Sequence, residues 1–202
     1  MTSHTIQEIQ NKLDLLLINT ENILNIVDKN DVAEIREIED IKESIYSPDF
    51  LLSKNFPLRD LIRSKRAIYE GISNMPGEVE IKRLIKVAQN ILQPCRDHHG
   101  VPILPNSGYR SPLLNGITPN ASKRSQHMKG EAVDFEVPGI SNIELARWIR
   151  NNLDFDKIIL EFYKPGDPHS GWVHCSYKSK EENRHEVYTT HDGKNYMPGI
   201  VA

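Results

Sequence analysis

Cysteine is scarce in this 202-residue chain: Cys95 and Cys175 are the only two. Two thiols make no disulfide framework, so a small cross-linked scaffold is excluded and both are expected reduced and buried. Long apolar runs are lacking as well. The longest is LLLI at residues 15–18, whereas a helix crossing a bilayer needs about 20 apolar residues. The N-terminal MTSHTIQEIQNK has no basic start followed by an apolar stretch, so no signal peptide is expected. The sequon Asn120-Ala121-Ser122 is accordingly read as chance. An excess of positive charge is also missing. Lys and Arg number 25 against 28 Asp and Glu, a net charge of −3, which leaves no basic field to gather nucleic acid. Finally, neither glycine nor proline occurs before Pro48.

That last absence suits a helix, and the pattern agrees. Ile6, Ile9, Leu13, Leu16, Ile23 and Val27 recur at mostly helical spacing, and Ile35, Ile38, Ile41 and Ile45 resume it after DKND. Residues 1–46 therefore read as a helical arm broken near 28–31, either a hairpin packed on its own domain or an oligomerisation or docking segment. Residues 47–56 read as a linker. Beyond them the pattern becomes mixed, with a main domain over 57–190 and a tail over 191–202. LRDLIRSKRAIYEG and EVEIKRLIKVAQNILQPCRD are amphipathic helices, with Gly71 able to cap the first and Pro94 near the end of the second. The stretch from His98 to Ser125, rich in Gly, Pro, Asn and Ser, is expected to be loop with a short strand at 101–104. Ser141-Asn142-Ile143-Glu144 is a capping box opening the helix ELARWIRNNL. Strands are expected in EAVDFEV, in KIILEFY (157–163) and in GWVHCSY (171–177). Helices followed by strands with one helix inserted define an α+β fold with a small antiparallel sheet and flanking helices.

Strand alternation then separates core from chemistry. Val133, Phe135 and Val137 share one face and leave Asp134 on the other; Ile158, Leu160 and Phe162 leave Glu161; Val173, Cys175 and Tyr177 leave His174, with Trp172 and Ser176. Paired in one sheet, Asp134, Glu161 and His174 converge on one open face. His127 lies seven residues before Asp134, a separation of about 20 Å if extended. It joins them only if the chain folds back, which Gly130 permits by tolerating left-handed backbone angles. Two imidazoles and a carboxylate are a ligand set for catalytic Zn2+, with a fourth position left for water. A carboxylate outside the metal shell must then take the water's proton. Glu161 is the candidate base, His169 the reserve, and Arg110 the candidate to steady a developing oxyanion or clamp a substrate carboxylate. His98 and His99 are expected exposed at a helix end. An iron(II) oxygenase reading fits less well, because its carboxylate usually follows the first histidine by two residues.

SQHMKGEAVDF (125–135) resembles the S-x-H-x-x-G-x-A-x-D motif of the zinc D-Ala-D-Ala carboxypeptidase and L-alanyl-D-glutamate endopeptidase family. SGYRSPLLN (107–115) resembles that family's arginine loop, and GWVHCSY its last ligand strand. LRDLIRSKRAIYEGISNMPGE and ILQPCRDHHGVPILPNSGYRS resemble upstream helices of a phage-associated branch. The resemblance covers about 54–190 and implies a hedgehog-like fold and one Zn2+ held by His127, Asp134 and His174. It further implies Arg110 at the substrate and oxyanion, with Ser125 beside the metal and Tyr109 and Trp172 on the substrate side. The substrate it implies is a bacterial peptidoglycan stem peptide, reached from a phage virion or from the host cytoplasm. One position departs: well-studied branches carry the base three residues before the last histidine ligand, or use a nearby histidine, and Gly171 stands there. The alternative is a structural virion or tail component that keeps the fold and assembles, as a homo-oligomer or with a virion partner, through residues 1–46.

Overall fold

The computed structural model describes residue 41 and residues 43–201. The chain divides into two compact units, 1–50 and 51–202. In the first, residues 43–45 are helical and a turn follows; the rest of the expected arm lies outside the described residues.

The second unit opens inside the expected linker. β1 (Leu51–Ser53) pairs antiparallel with β2 (Phe56–Pro57), and Leu52 and Phe56 are fully buried. The first expected helix is two: α1 (Leu58–Ile62) and α2 (Lys65–Tyr69). Ser64 breaks it by adopting an extended conformation and accepting the Ala67 N–H on its side chain at 3.2 Å, the geometry of a helix N-cap. α3 (Glu78–Val87) continues through a π-helical turn (Ala88–Leu92) into α4 (Gln93–His99). The widened turn comes just before Pro94, whose ring removes a backbone donor, so the helix runs past the proline instead of ending at it. Gly100, left-handed at φ +68, stops it.

No strand forms at 101–104; Pro102 and Pro105 supply no N–H to a ladder. The loop instead touches the sheet at one bridge, Ser107 to Asp134. α5 (Pro112–Ile117) follows. α6 (Asn142–Asn152) begins with the expected capping box, Ser141 and Glu144 each bonding the other's backbone.

The sheet has five strands in the order β3-β5-β4-β6-β7: β3 (Ala132–Phe135), β4 (Lys157–Glu161), β5 (Trp172–Ser176), β6 (Glu186–Thr190) and β7 (Met197–Pro198). It is mixed, which corrects the antiparallel expectation. β6 lies parallel to β4 because the chain leaves β5, passes the end of β4 and returns on its far side. Polar anchors hold that crossing. The fully buried Asp156 accepts Arg184 Nε at 2.8 Å and Nη2 at 2.5 Å, while Asp154 accepts Asn183 Nδ2 at 3.0 Å. The tail also proves structured, since β7 closes the sheet. One sheet face carries the core residues Val133, Phe135, Ile158, Leu160, Val173 and Cys175, all with no exposed surface. Both cysteines are free and buried, as expected. No helix among the described residues is long and apolar enough to cross a membrane.

Candidate metal centre

The other sheet face carries the chemistry, and the strand register shows why. Asp134 pairs with His174, and His174 with Ile159. In the neighbouring row Glu161 pairs with Trp172. Partners in register point to the same side, so Asp134, His174, Ile159, Glu161 and Trp172 share one surface.

His127 arrives by the fold-back that Gly130 allows. Residues Gln126–Lys129 form one 3-10 turn, capped when Ser125 Oγ accepts the His127 N–H at 3.3 Å. Gly130 then turns left-handed at φ +70, and a Cβ there would lie 2.5 Å from the Glu80 carbonyl oxygen. Both the backbone angle and the close approach call for glycine. The turn feeds β3, and His127 meets Asp134 across it.

The three side chains meet in a tight triangle. His127 Nε2 lies 3.2 Å from Asp134 Oδ1 and 3.2 Å from His174 Nδ1, and His174 Nδ1 lies 2.9 Å from Asp134 Oδ1. Ligands about 2.0–2.1 Å from a tetrahedral zinc ion are separated by about 3.3 Å, so the spacing fits such an ion. The donor chemistry fits too. His127 Nδ1 donates to the Gly108 carbonyl at 2.6 Å, which fixes the tautomer and leaves Nε2 free to ligate. All three residues are buried. Burial alone would raise the Asp134 pKa, but the charges and hydrogen bonds of His127 and His174 hold its carboxyl far below the usual range.

Around the triangle, Arg110 donates its backbone N–H to the His127 carbonyl at 3.2 Å and its Nη2 to Ser125 Oγ at 3.3 Å. Its Nε is buried with no hydrogen-bond partner among the described residues. Burial lowers the Arg110 pKa, against the opposing charges of Asp134 and Glu161. Glu161 is half-buried, and desolvation raises its pKa above the ordinary carboxylate value despite the charge of His174. The Trp172 indole N–H faces Glu161 without reaching hydrogen-bond geometry and is otherwise unpartnered.

His169 is exposed in the turn between β4 and β5, within electrostatic reach of Glu144 on α6. Tyr109 is 6% exposed, about as buried as the three residues of the triangle, with Glu80 as its charged neighbour. Gly171 is explained by contact. At φ +67, a Cβ there would lie 1.8 Å from the Glu161 carbonyl oxygen, so no side chain fits at the position where the resemblance leads one to expect the base. The Gly108 carbonyl is the participant that sequence reasoning missed; a backbone acceptor has no residue-type signature.

An α+β domain whose sheet carries a buried His-Asp-His triangle, with an ionisable carboxylate on the same face, has a group of side chains that could hold a metal ion. A sequence model of the Peptidase M15 family matches residues 54–176, and the chain belongs to that family. Membership points to a metallopeptidase, zinc-dependent as the family typically is, with peptidoglycan as the suggested substrate. No curated protein matches the chain as a relative.

Proposed function

We propose that the chain is a zinc-dependent peptidase that hydrolyses a peptide bond in peptidoglycan stem peptides, with Glu161 as general base. The observation that carries this reading is the 2.9–3.2 Å triangle of His127, Asp134 and His174, sharing its sheet face with a carboxylate outside the ligand set. A zinc ion held by His127, Asp134 and His174 would lower the pKa of a bound water from about 15.7 to about 7 and supply a Lewis acid for a substrate carbonyl. Glu161 takes the proton from the attacking water and passes it to the leaving amine. Its raised pKa places it nearer the working pH, where a general base is most effective. Arg110 directs its guanidinium at the oxygen on which negative charge develops; its buried, unpartnered Nε is a donor waiting for an acceptor. Ser125 Oγ holds that guanidinium in place.

The test is metal content and peptide release measured together. Purified protein should contain one zinc per chain and release peptides from peptidoglycan, and a chelator should abolish release. Glu161→Gln should keep the zinc and lose release. Metal binding with no release from wild-type protein would instead favour the structural virion or tail role, which the Gly171 position motivates.

A further inference from the structure

The row that carries two ligands does not end at β4. Ile159 pairs with Tyr188 on β6, so Asp134, His174, Ile159 and Tyr188 follow one another across four strands on the same face. Ile159, 8% exposed, is the apolar residue that stands in that row between the metal centre and the tyrosine. Tyr196 stands over the far end, 48% exposed, with its ring edge-on to Tyr188 at a centroid distance of 6.4 Å. The β6–β7 register of Thr189 with Met197, extended by one pair, sets Tyr196 opposite Thr190. Thr190 is the β6 partner of Glu161.

This corner is rigidly built. Asp192 Oδ1 accepts the backbone N–H groups of Lys194 and Asn195, each at 2.8 Å, and Oδ2 accepts Asn195 Nδ2 at 2.7 Å. Gly193 rests on the Phe162 ring, where an added Cβ would lie 2.7 Å from the ring tip. Phe162 in turn packs on Trp172 at 5.0 Å. The turn that presents Tyr196 is thereby keyed to the two residues flanking Glu161. Tyr188, Tyr196 and the turn between them lie beyond residue 176, outside the stretch matched to the family.

We propose that Tyr188 and Tyr196 form a substrate subsite, an aromatic shelf that seats an aliphatic side chain of the peptide about three residues from the scissile bond. The inference rests on the peptidase reading. Two strand spacings separate His174 from Tyr188, about 10 Å, which an extended peptide covers in about three residues. A peptide crossing the strands from the metal over Ile159 meets no charged side chain in that row before the tyrosines. In the next row on one side the surface is ionic, with Lys157 Nζ 5.8 Å from the Tyr188 ring centroid and paired to Glu186 at 3.1 Å, and in the next row on the other side stands Glu161. The shelf therefore selects an uncharged residue at that distance.

The test uses the full zinc-loaded chain and synthetic stem peptides with either one or four residues on each side of the scissile bond. Tyr196→Ala and Tyr188→Ala should raise KM for the long peptides about tenfold, leaving kcat and zinc content near wild type. The short peptides should be cleaved as by wild type. Tyr196→Phe, which keeps the ring, should retain wild-type KM. Equal effects on long and short peptides, or no effect on either, would overturn the shelf while leaving the peptidase reading intact. Calorimetric binding of the long peptide supplies the second readout. If wild-type protein cleaves nothing yet binds the peptide about tenfold more tightly than Tyr196→Ala, the shelf stands and the peptidase reading falls. Binding that ignores the substitution refutes the shelf.

Discussion

His127 and His174 each bring one nitrogen to the same point, yet they are held by different means. His127 depends on the Gly108 carbonyl at 2.6 Å, whereas His174 is fixed by its place in the middle of β5, paired on both sides. Replacing either with alanine should reduce zinc from one per chain toward zero, measured by elemental analysis, and full zinc in a mutant would remove that residue from the ligand set. Glu161→Gln should retain the metal and lower kcat by about 10²–10⁴; a wild-type rate would end its role as base. The pH profile carries a sign. Catalysis needs the Glu161 carboxylate, and burial raises its pKa. The acid limb of kcat/KM should therefore fall away at a pH above the ordinary glutamate value of about 4.3. That limb should be missing from whatever residual activity the Gln variant shows.

At the scale of elements, the junction of β4 and β5 shows how backbone contact limits chemistry. Gly171→Ala must push its methyl against the Glu161 carbonyl at a left-handed φ. It should destabilise the fold by more than about 1 kcal/mol and shift Glu161, read as a lower urea midpoint together with a loss of kcat. The β5–β6 crossing makes a second prediction. Asp156→Ala removes the acceptor for Arg184 and for Gln126 Nε2 at 2.9 Å. Loss of a buried pair costs about 3–5 kcal/mol; with the Arg184 side chain still 42% exposed, about 2–3 kcal/mol is expected from equilibrium unfolding. Arg184 and Gln126 outweigh burial and hold the Asp156 pKa below its ordinary value. Its stabilisation is thus present above the unfolded pKa of about 3.9 and lost as pH falls through the lower folded value.

These elements also mark where the sequence was readable. The faces of β3, β4 and β5 followed from alternation because each strand buries a clean apolar side, and the Ser141 capping box is a local signal with local causes. β6 was missed because Glu186–Thr190 buries no clean apolar side and takes its pairing from β4, distant in sequence, and β7 because it is two residues long and pairs with β6 alone.

For the molecule as a whole, the N-terminal unit and the proposed metal invite separate removal. Deleting residues 1–46 should leave cleavage of small peptides largely intact while changing the oligomeric state seen by light scattering; a truncated chain that fails to fold would assign the arm to the core. Stripping the metal with a chelator should lower the melting temperature, since whatever binds only the folded state stabilises it. The order β3-β5-β4-β6-β7 has one more consequence. A chain stopped at residue 176, where the family match ends, would lose β6 and β7 and bare the hydrogen-bonding rim of β4, a strand carrying Ile158, Ile159 and Leu160. Open rims of that kind recruit strands from other molecules, so a fragment trimmed to the matched boundary should precipitate or form fibrils where the longer chain stays in solution.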